Sequence, residues 1–373
     1  MVNVILKDIY KRFRKKEALK GVSFEAVEGK ITILFGPVGA GKTTTLRIIA
    51  GLEKPDSGKV FFGDKDVTNL PPQERNVGLV FQTFALYPHL TVYENIAMSL
   101  RARGLSESEI RKRVEWVAEI LRISNILPKY PAEISGGQRQ RVAIARALVK
   151  DAVAYLFDEP LVNLDYKIRE AMRGELKKIL RERGGTMIWA TADPQEALAL
   201  GDYIVVLYDG RVEAQGGVVE VYNKPKNITV AKYFSYPSMN LIDAIVTVKG
   251  DSKLIDLGFM SVDVTKLPEF AHVDPGTNIV VGIRPTHIRL STSPEVEGIP
   301  ATVILTEVLG SETLIHVEVP VEALGKSAPG KRIVVHVPEI LRLAPGSEVK
   351  LVIDPSKLYF FDKSTGELIY APR

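Results

Sequence analysis

Residues 36–43 read Gly-Pro-Val-Gly-Ala-Gly-Lys-Thr and fit the pattern G-x-x-x-x-G-K-[ST]. Glycines in such a loop let backbone N–H groups wrap a phosphate, Lys42 adds a point charge, and the Thr43 hydroxyl suits a divalent cation. Further along, the apolar run 153–157 ends in Asp158-Glu159-Pro160. An aspartate at the carboxyl end of a strand suits the Mg²⁺ shell, and a glutamate beside it suits polarisation of an attacking water. The blander alternative is a turn cap. A third stretch, Ile134-Ser135-Gly136-Gly137-Gln138, opens a helical pattern carrying Val142, Ala145 and Val149. Bare, outward-pointing N–H groups are expected there, which makes an anion site, although Gly-Gly before a helix is also an ordinary cap.

These residues need a scaffold, and the apolar pattern supplies one. Runs at 31–35, 77–81, 153–157, 186–190 and 203–207 read as strands alternating with helices, the pattern of a mainly parallel sheet wrapped by helices. The phosphate loop then follows a strand and runs into a helix at 44–50. Residues 166–183 place Ile168, Met172, Leu176, Ile179 and Leu180 on one face and stop at Gly184, predicting an amphipathic helix. Between about 91 and 150 the strand pattern lapses, which predicts a helical subdomain. After Tyr236-Pro237 short strands at 241–248, 278–283, 301–305, 313–319, 333–337 and 348–353 predict a small all-β barrel or barrel pair. The expected division is 1–236 and 237–373.

Composition narrows the class. The chain has 373 residues, 46% of them hydrophobic and 25% charged, a globular profile. No run of 18 apolar residues is present, so no membrane-crossing helix is expected. Zero cysteines exclude disulfides and thiolate metal sites and fit a reducing compartment. The net charge is +4, yet the tail from Pro237 holds 17 acidic against 13 basic residues. A basic partner surface is therefore expected only in the first part, and the Lys11 to Lys16 cluster is either a solvated face or an attractor for an anionic ligand.

The phosphate loop, Ser-Gly-Gly-Gln and Asp158-Glu159, in this order, resemble the ATP-binding cassette (ABC) transporter ATPases across residues 1–236. The resemblance implies a P-loop α/β ATPase binding ATP and Mg²⁺, with Glu159, Gln82 and Lys42 as the catalytic set. It implies nucleotide contacts from Phe13, for which a core position is the alternative, and from Gly36, Pro37, Val38, Gly39, Ala40, Gly41, Lys42, Thr43 and Thr44, with metal contacts from Thr43, Asp158 and Gln82, the last of which is otherwise a solvated loop amide. Ser135, Gly136, Gly137 and Gln138 are then expected to face the γ-phosphate held by a second ATPase subunit, like or unlike this one. Asp165 matches the aspartate of the dimer-contact loop. The loop at 82–96 is similar to the segment that importers of sugars and polyols set against permease helices, and buried packing of that loop is the alternative. The tail segments Pro237-Ser-Met-Asn-Leu-Ile-Asp243 and Val281-Gly-Ile-Arg-Pro285 look like the oligonucleotide-binding-fold (OB, TOBE-like) regulatory domain of maltose, glycerol-phosphate and glycerol importer ATPases. An importer subunit peripheral on the cytoplasmic side of the membrane is implied, meeting an extracellular solute-binding protein only indirectly.

The chain departs from this pattern at Val162, where the family usually has a small polar residue, and again after the strand at 186–190. Aligning Thr191-Ala192-Asp193 with the family's usual Thr-His-Asp puts Ala192 where a histidine contacts the γ-phosphate. A methyl group donates no hydrogen bond, and losing one preorganised donor can cost about a hundred- to a thousandfold in rate. Either Glu159 and the ordered phosphates suffice, or this chain is the weakly hydrolysing member of an unequal ATPase pair; the stretches 165–170 and 190–197 look most like one of the paired ATPases of glycerol-type importers. A soluble cassette protein acting on nucleic acid, or a regulator, is the competing class. The acidic tail disfavours the former, and no nucleic-acid partner is expected.

Overall fold

A computed structural model of the chain describes residues 2–14, 16–164, 166–323 and 326–372, with backbone alone at 166–168, 171, 322, 323 and 326–329. Asp165 and the side chain of Ile168 lie outside the described residues. Packing divides the chain into two compact units, Met1–Val219 and Glu220–Arg373.

The first unit is built on a six-stranded sheet whose order is Arg211–Gly217, Tyr203–Tyr208, Ile31–Phe35, Thr186–Thr191, Ala154–Asp158, Val77–Val80. The last five are mutually parallel, and Arg211–Gly217 is an antiparallel edge. Ile31–Phe35, Ala154–Asp158 and Thr186–Thr191 are buried along their whole length, which is why they read as unbroken apolar runs. A four-stranded antiparallel sheet, ordered Lys16–Ala26, Val4–Phe13, Ser57–Phe62, Lys65–Asp66, lies in the same unit. The helices Val92–Arg101, Glu107–Ile120 and Gly136–Leu148 fill the expected helical stretch. Thr91 opens the first with a capping box to Glu94, and Ser106 caps the second.

The helix after the phosphate loop, Lys42–Ala50, is bounded by glycines at both ends, Gly41 at φ 108 and Gly51 at φ 76. Arg75 closes its C-terminal end. The guanidinium, 3% exposed, donates to the carbonyls of Ile48 at 2.7 Å, Ile49 at 3.0 Å and Leu70 at 2.9 Å.

The second unit is antiparallel β throughout its two sheets. One runs Ser261–Asp263, Ser252–Asp256, Asn240–Lys249, Asn278–Ile283, Tyr359–Asp362, Leu368–Tyr370; the other runs Ile288–Ser291, Glu348–Ile353, Ile299–Val308, Thr313–Ala323, Lys326–Val337. Their inner faces share one core that includes Val246, Ile279, Ile315, Val335, Leu351 and Phe360, an all-β body of the OB-like kind. The helices Val218–Asn223 and Ile228–Tyr233 precede the change of pattern at Tyr236-Pro237, yet the compact units divide before most of them. Arg284 is the physical reason. Its guanidinium lies 3.7 Å from the Tyr222 ring centre and donates to Ser235 Oγ at 3.1 Å, Tyr359 Oη at 3.2 Å and the Tyr222 carbonyl. The segment around 222–235 is thereby tied to the β body.

Candidate functional site

The strand order brings the chemistry together. Four neighbouring parallel strands end, side by side, in the phosphate loop after Phe35, in Ala192 after Thr191, in Asp158 and Glu159, and just before Gln82. Carboxyl ends of strands are where open α/β sheets bind ligands. A cavity of about 320 Å³ sits there, lined by Phe13, Lys16, Ala18, Val38, Gly39, Gly41, Lys42, Thr43, Thr44, Gln82 and Glu159.

The loop is held from outside. Gly36 N–H donates to the Thr191 carbonyl at 3.3 Å, and Gly210 N–H to the Ala40 carbonyl at 3.2 Å. A Cβ on Gly36 would meet the Leu207 carbonyl oxygen at 2.2 Å. Gly36, Pro37 and Ala40 shape the loop without lining the cavity, while Val38 is 91% exposed at its lip. Lys42 is buried and donates to the Gly36 and Pro37 carbonyls at 2.6 and 3.0 Å, with Glu159 Oε1 at 3.1 Å. Its charge is thus shared between loop and carboxylate.

Thr43 Oγ1 donates to Asp158 Oδ1 at 3.0 Å. Burial pushes the Asp158 carboxyl up from the ordinary aspartate range, against the lowering effect of the Thr43 hydroxyl. A buried carboxylate, a hydroxyl and the nearby Gln82 amide are hard oxygen donors that suit Mg²⁺. Among the described residues no group of three or more His, Cys, Asp or Glu could hold a metal ion.

Glu159 takes a left-handed backbone, φ 44, with its N–H bound to the Ala190 carbonyl at 3.1 Å. That conformation costs a non-glycine residue about 1 kcal/mol or more, and it turns the carboxylate toward Lys42 and toward Gln82 Nε2 at 3.5 Å. Asn163 holds the Gln82 carbonyl at 2.8 Å. Phe13 ends a hairpin strand, paired with Lys16; its ring is 43% exposed, with Lys11 Nζ at 5.1 Å. Within the basic cluster Lys11 pairs with Glu53 and Asp56, and Arg12 with Glu17, whereas Lys16 lines the cavity.

Ser135, Gly136, Gly137 and Gln138 do not line this cavity. They begin the helix Gly136–Leu148, and the expectation of bare N–H groups needs correction. Ser135 Oγ accepts the Gln138 N–H at 3.3 Å while Gln138 Oε1 accepts the Ser135 N–H at 2.9 Å, a capping box. Only the first helical N–H groups, of Gly136 and Gly137, are left for an outside anion. Ala192 is exposed. Asp193 beside it caps the helix Pro194–Leu200 and pairs with Arg173 at 2.5 Å.

In the 82–96 loop, Tyr87 is 41% exposed, whereas Asn95 is fully buried and binds the Tyr87, Leu90 and Thr91 carbonyls at 3.1, 3.0 and 2.9 Å. The loop is therefore internally pinned and outwardly open.

Comparison with known proteins gives a consistent picture. A model of the ABC transporter family matches residues 19–162, and one of the TOBE domain matches 281–361. The trehalose/maltose import ATP-binding protein MalK of Thermococcus litoralis is 41% identical, covering 99% of this chain and 100% of its own. The sn-glycerol-3-phosphate import ATP-binding protein UgpC 2 of Agrobacterium fabrum is 37% identical over 99% and 95%. The alpha-glucoside transport ATP-binding protein AglK of Rhizobium meliloti is 38% identical over 97% and 98%. The dimeric cassette MJ0796 superposes with a TM-score of 0.53 at 34% identity, covering 58% of this chain and 98% of that one. Its dimeric post-hydrolysis state bound to ADP and Pi gives 0.53 at 35%, with the same coverage.

Proposed function

We propose that this chain, which belongs to the ABC transporter ATP-binding family, is the ATP-hydrolysing subunit of an importer for a sugar, glycerol, glycerol phosphate or related polyol. The observation that carries the reading is the meeting of Phe13, the phosphate loop, Lys42, Thr43, Gln82 and Glu159 around one cavity. Full-length similarity to importer subunits for maltose, glycerol phosphate and alpha-glucosides supports the solute class.

Phe13 stacks on adenine, the loop amides and Lys42 take the phosphates, and Glu159 polarises the attacking water. Lys42 must leave the Gly36 and Pro37 carbonyls to reach a phosphate, which also loosens its hold on Glu159. Mg²⁺, when bound, neutralises charge on the β- and γ-phosphates; Thr43, Asp158 and Gln82 are the side chains that would hold it. Because Ser135 to Gln138 stand apart from the cavity, they serve the phosphate loop of a second ATPase subunit, a reading supported by the dimeric cassettes among the similar structures. Residues 82–96, with Tyr87 outward, meet permease subunits on the cytoplasmic side of the membrane, and the solute-binding protein acts through those subunits.

Mass spectrometry of the complex purified through a tag on the chain tests this. Co-purification of permease subunits is expected; nucleic acid retained at physiological salt, without a permease, would overturn the reading.

Ala192 supplies a second check. Gln82 Nε2, at 3.5 Å, stays beside Glu159 when Lys42 turns to the phosphate, so the unaltered chain should turn over ATP by itself. Ala192→His should change kcat by less than about tenfold, below the hundredfold scale of a missing essential donor. A gain of a hundredfold or more in a steady-state assay would instead mark an unequal ATPase pair, which the importer relatives do not favour.

A further inference from the structure

Arg146 lies in the last turn of the helix that Ser135 opens, and it does not behave like a surface charge. Its Nη1 donates to the Ala85 carbonyl at 2.5 Å and its Nη2 to the Phe84 carbonyl at 2.9 Å. The guanidinium carbon stands 5.9 Å from the Tyr87 ring centre. No carboxylate pairs with it among the described residues, and burial pulls its pKa down. A half-buried cation whose hydrogen bonds go to main-chain carbonyls, with no carboxylate beside it, is costly, so the geometry it enforces matters.

That geometry is unusual. Phe84 and Ala85 are consecutive non-glycine residues in the left-handed region, at φ 61 and 49. Each costs about 1–2 kcal/mol, and two in succession persist only when something outside the turn holds them. Local bonds are short-range: Phe84 N–H reaches the Phe81 carbonyl and Ala85 N–H the Thr83 carbonyl. The forked guanidinium holds the two strained carbonyls from separate nitrogens in one rigid plane, where lysine would offer a single flexible point of attachment. Gln82 sits two residues before this turn, with its side chain at Glu159 and its carbonyl on Asn163.

We infer that Arg146 is a positioning residue: it locks the Phe84-Ala85 turn to the Ser135 helix, so that Gln82 moves with that helix and is set against Glu159 only when the helix is in place. The clamp also carries Tyr87, so the outward face of the loop follows the same helix. The helix is thus a strut, with the Ser-Gly-Gly-Gln end toward a partner's nucleotide and the Arg146 end on the turn that follows this chain's own glutamine. This inference rests on the ATPase reading above.

The test is a double-mutant cycle in the purified full chain with Mg-ATP. Arg146→Met should lower kcat about tenfold while leaving KM and nucleotide affinity within about twofold. In a Gln82→Ala background the same substitution should cost less than twofold, since it acts through Gln82. Arg146→Lys, which keeps the charge and loses the fork, should fall between, and serves alone if Arg146→Met does not fold. Equal losses with and without Gln82, or an unchanged kcat, would overturn the inference while leaving the ATPase reading intact. Absence of turnover in the unaltered chain would instead remove that reading.

Discussion

Glu159→Gln is expected to lower ATP turnover by a factor of about a hundred to a thousand and to leave ATP bound. The amide cannot accept the proton of an attacking water at neutral pH, which removes general-base help and the charge beside the developing bond. Affinity should not fall, and the structure says why: Glu159 Oε1 stands 3.1 Å from Lys42 Nζ and competes for the charge that phosphates need. The neutral amide of the variant releases that competition. A closed dimer holding ATP, visible as a shift in sedimentation or size exclusion with unhydrolysed nucleotide, is the expected species. Turnover equal to that of the unaltered chain would remove Glu159 from the mechanism.

Gly41→Ala is expected to weaken nucleotide binding by about a hundredfold and to destabilise the fold by roughly 2–5 kcal/mol, summing a left-handed backbone penalty and overpacking. Gly41 is at φ +108, and a Cβ there would meet Leu19 Cδ2 at 2.6 Å and the Ala18 carbonyl oxygen at 2.9 Å. The carbonyl belongs to a strand of the antiparallel sheet, so the helix start must give way, taking the loop amides with it. A displacement near 1 Å at such a site is worth about a hundredfold. Gly29→Ala is the control: it has φ +72 with nothing within 4 Å, so it should lose about 1 kcal/mol and keep full affinity. Calorimetric titration with ATP separates the two. Undiminished affinity in Gly41→Ala would show that the loop tolerates a side chain there.

The parallel core could be read from letters because each of its strands is buried on both faces and flanked by turn chemistry. Ile31–Phe35 emerged with the expected bounds, and Ala154–Asp158 shifted by one residue. The antiparallel sheet could not be read so easily. Val4–Phe13 mixes Lys7, Asp8, Lys11 and Arg12 with its buried Val4, Leu6 and Ile9, so charge interrupts the apolar pattern that marks a strand. Within the site, the spacing of residues 36–43 and the strand before Asp158 carried most of the information. Gln82 carried none beyond resemblance, because a loop amide has no local signature. The Ser135–Gln138 capping box was present in the letters as S-x-x-Q, but the flanking glycines drew the reading toward bare N–H groups. Arg146 and Arg284 were illegible for a different reason. Each spends its guanidinium on main-chain carbonyls or aromatic faces far away in sequence, and an arginine in a helix or after a strand looks the same whether it faces water or such a partner.

Arg75 gives the phosphate helix an unusual polarity. Lys42–Ala50 is short, nine residues, or about 13 Å from end to end. At its C-terminal end the carbonyls of Ile48 and Ile49 meet a buried guanidinium rather than water. The half-negative pole is therefore quenched by a fixed cation inside the protein, where solvent screens it weakly. What remains unbalanced is the half-positive pole at Gly41, facing the cavity. The helix then acts on an incoming anion as a one-ended charge, its attraction no longer diminished by an opposite pole at the far end.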